Sequence, residues 1–249
     1  MRGKTIEVCV ESLYSARVAQ EQGADRVELC AALTEGGITP SMGMVKTVRE
    51  ALQIAVNVIV RPRRGDFCYS DEEFECMKQD IVLLRTMGID GLVFGILTPD
   101  GEIDVPRMKE LVTLARPLSV TVHRAFDAVR DPMKALEDCI SLGAGRILTS
   151  GLAAKAEEAI DMLTLLVKKA EGRISIMPGS GVNDRNIVPI LSQTGACEIH
   201  LSAKERINGN MLFRKKEVPM SNSTPLSEYE LERTSDKLLK RAIEKVRNS

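Results

Sequence analysis

One of the two histidines in this sequence begins a compact run of chemically active residues at positions 123–127. Its imidazole could transfer protons near pH 7, and the adjacent Arg124 could hold an anion. Glu11 and Glu28 lie at the ends of predicted strands, where either could serve as the acid or base partner of His123. His123, Glu28 and Glu11 are therefore predicted as catalytic residues, while the alternative for His123 is a hydrogen-bonded structural role.

A second set of residues is suited to binding a small anion. Arginine forks match carboxylates and phosphates, and backbone N–H groups in a glycine turn ahead of a helix can also hold an anion. The same residues could instead form a purely structural network of charges, with His200 as a hydrogen-bonded member. The predicted ligand-binding residues are Arg61, Arg63, Arg124, Ser150, Gly179, Ser180, Gly181, His200 and Ser202.

Two cysteines could share a metal ion. The sequence has no HxH, HExxH or paired-cysteine spacing, which argues against a preformed zinc site. Copper(I) binds soft thiolate ligands and needs fewer ligands than a zinc site does. Cys9 and Cys30 have the same parity on neighbouring predicted strands, which lie about 4.8 Å apart, so their sulfurs could approach one ion. The alternative is that both are small core residues.

A recurring seven-residue sequence motif marks the helices and strands that must position these residues. Each copy begins at a glycine that can end a helix and runs into a short apolar strand. The copies lie at 23–29, 88–94, 143–149 and 195–201, and further strand-like runs lie between them at 6–10, 56–60, 118–122 and 174–177. Eight strands spaced by about 27 residues, each with room for a following helix, predict an α/β fold of the (β/α)8 TIM-barrel type.

The alternation of polar and apolar residues separates this barrel from an open doubly wound sheet, whose central strands are apolar on both faces. In the first predicted strand, Glu7 and Cys9 alternate with Val8 and Val10. A closed barrel can hold such charges in a paired network within its lumen while its outer face meets the helices. The side chains expected to point into the lumen are Glu7, Arg26, Glu28, Arg61 and His200.

The chain is predicted to form one barrel domain over residues 1–249. A long irregular segment at 203–225 follows the eighth strand and could be a lid or an oligomer contact. A C-terminal helix is predicted over 227–247, because Ser227 and Glu230 have capping-box spacing and the basic residues near its end suit the helix dipole.

Composition limits the classes of partner. The 34 Lys plus Arg nearly balance the 35 Asp plus Glu, so nucleic acid and anionic membranes are not expected as partners. No run approaches about 18 apolar residues and the first residues lack a signal-peptide layout, so a cytoplasmic location is predicted. The six cysteines include no CxxC pair and are expected to be reduced. No organic cofactor is indicated.

The order of the motifs resembles the CutC family of copper homeostasis proteins over about residues 4–202. The matching segments lie at 7–9, 24–30, 36–41, 61–67, 123–127, 148–151 and 178–181. The resemblance implies a cytoplasmic (β/α)8 barrel that is often a homo-oligomer and is assigned to copper handling. It also implies Cys9 and Cys30 as the metal ligands.

Two functional interpretations follow from the residues and the resemblance. One is a CutC-like copper homeostasis protein that binds copper. The other is an uncharacterised barrel enzyme, a lyase or isomerase acting on a small phosphorylated or carboxylated metabolite, because the predicted barrel mouth is rich in arginine, glutamate and histidine. The expected partners are therefore copper or a small anionic ligand. A structural oligomer without a ligand would leave the polar strand ends unexplained.

Overall fold

The eight predicted strands form a nearly closed parallel barrel, which confirms the predicted fold. The structure is a computed structural model that describes residues 3–215, 217–218 and 227–249. Each strand pairs in parallel with the next from β1 to β7, and β8 pairs with β1. The strands are β1 Thr5–Val10, β2 Arg26–Leu29, β3 Ala55–Ile59, β4 Gly91–Phe94, β5 Ser119–Val122, β6 Arg146–Thr149, β7 Ser175–Pro178 and β8 Glu198–Leu201.

Eight helices accompany the strands within the described residues. The start of the third helix is fixed by a complete capping box between Ser70 and Glu73, and Asp131 caps the fifth helix ahead of Pro132. The helices are α1 Leu13–Glu21, α2 Met42–Ala51, α3 Asp71–Leu84, α4 Val105–Ala115, α5 Pro132–Ser141, α6 Ile160–Ala170, α7 Ile187–Thr194 and α8 Asp236–Arg247.

The recurring glycine has the role that the sequence predicts. The first residue of each copy has a left-handed backbone, with φ between 70° at Gly88 and 87° at Gly23. Other residues adopt this conformation at a cost, whereas glycine does so freely. The chain can therefore leave each helix and turn directly into an even-numbered strand.

Strand register brings the charged residues of the lumen together. Glu7 on β1 lies opposite Arg26 on β2 and opposite His200 on β8. The intervening apolar residues Val8 and Val27 face the helices and are fully buried. The alternation thus divides the barrel into an apolar outer core and a polar lumen, as predicted.

A buried network of charges fills the lower part of the lumen. The Glu7 carboxylate accepts hydrogen bonds from Arg26 Nε, from Asn57 Nδ2 at 3.3 Å and from His200 Nδ1 at 2.8 Å. Arg26 also pairs with Glu198 at 2.7 Å, and Glu198 accepts a further bond from Arg146. Burial alone would raise the pKa of Glu7, but the hydrogen bonds and charges of His200 and Arg26 outweigh it and lower the pKa to about 2.

The C-terminal part of the chain differs from the prediction. Strand β9, Lys204–Asn208, lies inside the segment predicted as irregular, and it pairs with β10, Glu230–Thr234, in an antiparallel hairpin. Helix α8 consequently begins at Asp236, not at 227. Residues 216 and 219–225 of the irregular segment lie outside the described residues.

Long-range contacts explain this correction. Glu230 does accept a hydrogen bond from the backbone of Ser227, as in a helix start. However, Lys204 pairs with Glu232 at 3.0 Å across the hairpin, and the backbone of Thr234 donates to Ser15 on α1. These contacts hold 230–234 extended, so the local capping signal does not lead into a helix. Among the described residues, no helix has the length and apolar character needed to cross a membrane.

We expect Glu7→Gln to lower the free energy of unfolding by about 3–5 kcal/mol, because it removes a buried anion that pairs with both Arg26 and His200. Chemical denaturation near neutral pH measures this. The matched control is Glu50→Gln, which removes an exposed pair with Lys46 at 4.0 Å and should cost no more than about 1 kcal/mol.

The same pair of proteins should show a defined pH dependence. Because the pKa of Glu7 is depressed from 4.5 to about 2, its contribution to stability is complete above pH 4.5 and is lost as the pH falls towards 2. The difference in unfolding free energy between wild type and Glu7→Gln should therefore shrink over that range. A difference that stays constant or grows on acidification would contradict this assignment.

Candidate functional site

The C-terminal ends of the strands surround an inner cavity of about 350 Å³, which adjoins an outer cavity of about 490 Å³. This is the end of the barrel at which enzymes of this fold place their active sites. The inner cavity is lined by Cys9, Glu28, Cys30, Leu33, Gly36, Ile59, Arg61, Phe67, His123, Arg124, Leu148 and His200.

Two thiols lie together on one side of the inner cavity. Cys9 is on β1 opposite Glu28, and Cys30 comes two residues after Glu28, just past the end of β2. Their sulfur atoms are 3.6 Å apart, and both side chains are buried. The prediction that parity brings these two sulfurs together is therefore correct in geometry.

The two thiols differ in protonation. The hydrogen bond from Cys30, together with the nearby His200, lowers the pKa of Cys9 to about 5 against the opposing effect of burial. The pKa of Cys30 is raised well above its ordinary value, because its proton is held in the bond to Cys9 and because it is buried. At neutral pH the pair is thus one thiolate and one thiol.

Glu28 and His200 complete a coupled group around Cys9. Burial would lower the pKa of His200, but its hydrogen bonds to Cys9 and Glu7 and the nearby acidic charges raise it well above the ordinary value. The pKa of Glu28 is also raised well above its ordinary value, by burial and by the negative charge of Cys9. His200 therefore lies between the Cys9 thiolate and the Glu7 carboxylate, and both His200 and Glu28 hold a proton more tightly than usual.

These groups are close enough to form a ligand set. The candidate ligand atoms of Cys9, Glu28 and Cys30 all lie within 4.8 Å of one another, and so do those of Glu7, Glu28 and His200. Cys9 is already a thiolate, and the Cys30 sulfur lies 3.6 Å from it and still holds its proton. In the set of Glu7, Glu28 and His200, the Glu7 carboxylate is already engaged in an ion pair with Arg26.

His123 lies in the same cavity, but its ring is not suited to the proton transfer predicted from the sequence. Its Nδ1 accepts a hydrogen bond from the backbone of Ala125 at 3.1 Å. Burial and the positive charge of Arg61 lower its pKa to about 3, so the ring stays neutral near pH 7. Gly95 allows the ring to sit here, because a Cβ at that position would lie 3.0 Å from His123 Nδ1.

The predicted anion-binding residues divide into separate places. Arg61 lines the inner cavity and donates three hydrogen bonds to backbone carbonyls. Arg63 instead turns away to pair with Glu73 at 2.5 Å and with Asp66 at 3.1 Å. The Arg63 guanidinium holds the following loop, so the structure does not place Arg63 beside Arg61 in the inner cavity.

The remaining predicted residues lie mostly toward the outer cavity. Arg124 lines both cavities, while Ser180, Gly181 and Ser202 line only the outer one. Gly179 packs against the side of His200, since a Cβ there would lie 3.3 Å from His200 Cβ.

Two predicted residues have structural partners. The Ser150 hydroxyl is bonded to Asp127 at 2.9 Å. Glu11 accepts a hydrogen bond from the backbone of Leu33 at 2.9 Å and does not line the inner cavity. Of the three predicted catalytic residues, Glu28 and His123 therefore line the inner cavity and Glu11 does not.

Sequence reasoning missed Phe67 and the organising role of Asp127. The Phe67 ring lies 4.9 Å from the His123 ring and 5.1 Å from the guanidinium carbon of Arg61. The Asp127 carboxylate accepts hydrogen bonds from Thr149, Ser150 and Arg124, and it thereby links the segments that follow β5 and β6. Phe67 lies in an irregular loop, where no periodic pattern marks it as a site residue. Phenylalanine is rare in this chain, with five in all, and this rarity was the signal in the sequence that could have drawn attention to it.

The chain is similar to a set of known proteins over nearly its whole length. Residues 4–205 match the model of the CutC family. The chain is 50% identical over 232 residues to the Homo sapiens copper homeostasis protein cutC homolog, which covers 93% of this chain and 85% of that protein. A CutC family protein of Bacteroides fragilis is 48% identical over 250 residues and covers 100% of both chains.

A solved structure is also similar. The crystal structure of CutC from Streptococcus agalactiae has a TM-score of 0.77 and 35% identity, and the match covers 79% of this chain and 97% of that one.

We expect Cys9 to react with iodoacetamide as a thiolate at unusually low pH. Because its pKa is lowered from 9.0 to about 5, the rate should rise as the pH increases through about 5 and should be constant well below pH 9. Mass spectrometry of the Cys9 peptide measures the rate. In His200→Gln the midpoint should move upward, because the stabilising cation is gone. A wild-type midpoint near 9 would refute the thiolate assignment.

Proposed function

Since this chain belongs to the CutC family, we propose that it acts in copper homeostasis by binding Cu(I) through Cys9 and Cys30. The observation that carries this proposal is the pair of buried sulfurs 3.6 Å apart at the side of an open cavity. Metal–thiolate bonds are about 2.3 Å long for a borderline-soft ion such as zinc, so sulfurs at this separation can share one ion without movement of the strands.

The protonation of the site favours a soft ion. Cys9 is already a thiolate, which is the form of cysteine that binds metals. The raised pKa values of Glu28 and His200 oppose the loss of the protons that these side chains would have to release before they could act as ligands. A four-coordinate zinc site needs such additional ligands, whereas Cu(I) is suited to sulfur donors.

Binding must still release the proton of Cys30, whose pKa is raised by its bond to Cys9 and by burial. Copper affinity should therefore increase with pH, because metal binding competes with protons for the same sulfur. A reducing cytoplasmic environment and a homo-oligomeric state belong to the same proposal and stay predictions.

We expect the wild-type chain to bind about one Cu(I) under reducing conditions, and Cys9→Ser/Cys30→Ser to lose this binding, because hydroxyls are poor ligands for a soft ion. Competition with a chromogenic Cu(I) chelator measures the stoichiometry and affinity. Circular dichroism and thermal unfolding establish that the variant is folded.

The matched control is Cys76→Ser/Cys197→Ser, which removes two exposed thiols elsewhere and should leave copper binding unchanged. A parallel titration with Zn²⁺ tests the preference for a soft ion and should give weaker binding. Equal Cu(I) binding by the folded Cys9→Ser/Cys30→Ser protein would exclude this site, and loss in the control would assign binding to the surface thiols.

A further inference from the structure

The inner cavity contains a buried positive charge with no acidic partner. The Arg61 side chain is only 5% exposed, and its guanidinium donates to the carbonyls of Glu35, Gly37 and Gly65 at 2.9–3.1 Å. Within the part of the chain that the structure describes, no carboxylate pairs with Arg61, and its Nε has no hydrogen-bond partner. A buried charge without a counter-ion is costly, and carbonyl dipoles compensate it only in part.

A second unpartnered donor lines the same cavity. His123 Nδ1 accepts a bond from the backbone of Ala125, which places the proton of the neutral ring on Nε2. That Nε2 is buried and has no hydrogen-bond partner among the described residues. Buried polar atoms of native proteins are seldom left without partners. The ring stays neutral because burial and the charge of Arg61 lower its pKa to about 3.

One aromatic ring lies beside both groups. The Phe67 ring lies against His123 at 4.9 Å and against the guanidinium of Arg61 at 5.1 Å. Phe67 itself is only partly buried. Since both donor atoms are buried, side chains beside them, of which Phe67 is one, must shift for a ligand to reach them.

The charges of the cavity select the class of ligand. Arg61 supplies one unbalanced positive charge, while the charge of Arg124 is already paired with Asp127 at 2.7 Å. A phosphate dianion would lack a second cation here. A carboxylate carries one charge and has two acceptor oxygens, which matches one cation and two N–H donors.

The size and lining of the cavity indicate the rest of the ligand. Its volume of about 350 Å³ lies near the lower end of the range for small-molecule sites, about 300–1,000 Å³. Apart from the polar groups described above, the lining is apolar, formed by Leu33, Ile59, Phe67 and Leu148.

We propose that the inner cavity binds a small monocarboxylate with a compact apolar body, whose carboxylate accepts hydrogen bonds from Arg61 Nε and His123 Nε2. The donors follow β3 and β5, whereas the sulfurs lie on β1 and just after β2. The donors and the sulfurs are different residues of the same cavity, and the proposal does not rest on copper binding.

The test uses the full chain without added copper. Isothermal titration calorimetry near neutral pH compares propionate, butyrate and benzoate with propionamide, butyramide and benzamide, and with inorganic phosphate. At least one carboxylate should bind, and its amide should bind at least about tenfold more weakly, because a charge-assisted hydrogen bond is replaced by a neutral one. Failure of every carboxylate to bind, equal binding of the amides, or tighter binding of phosphate would each overturn the proposal.

The discriminating variant is His123→Asn. Its side chain can still accept the bond from Ala125 N, but it does not reach the position of Nε2. Carboxylate affinity should fall at least about tenfold, while the exposed control Arg130→Gln should bind like wild type. Unchanged affinity in His123→Asn would refute the assigned donor.

A second measurement holds even if His123→Asn does not fold. The sequence has two histidines, so imidazole nitrogen NMR spectra of the wild type are simple, and His200→Gln identifies the signals of His123. Propionate or the strongest carboxylate ligand should shift the His123 Nε2 signal, and the matched amide should not. A carboxylate that binds without shifting this signal would refute the proposal.

Discussion

The buried carboxylate of Glu7 is the group on which both the barrel and the site depend. It lies fully buried between β2 and β8 and accepts bonds from Arg26, Asn57 and His200. A buried anion is tolerated only with such partners, so the Glu7 carboxylate fixes the register of β1 against both neighbouring strands. A one-residue shift of β1 would carry Glu7 to the helix face and break every one of these bonds.

The same carboxylate controls the chemistry above it. Cys9 and Glu7 raise the pKa of His200, while Cys30 and the nearby His200 lower the pKa of Cys9. The thiolate then favours the protonated form of Glu28. Each proton position thus depends on its neighbours, and the thiolate is a property of the whole network rather than of Cys9 alone.

Much of the architecture could be predicted from the sequence. Strand parity assigned Glu7, Cys9 and His200 to the lumen, because side chains of a strand alternate with a period of two. The recurring glycine marked the joints between helices and even-numbered strands, because left-handed backbone favours glycine. Both signals are local, so they need no knowledge of the partner strands.

Protonation, side-chain direction and long-range pairing were decided only by the tertiary structure. Arg63 and Arg61 are two positions apart in sequence, yet Glu73 draws one away while the other lines the cavity. His123 was expected to transfer protons, but burial beside Arg61 keeps it neutral. The extended course of 230–234 depends on pairing with β9, about 26 residues earlier in the chain. The alternation of polar and apolar residues along a strand determines which face of the sheet a side chain occupies. Its protonation state and its partners depend on groups that are distant in sequence and close in the folded chain, because Coulomb and desolvation energies depend on distance in space.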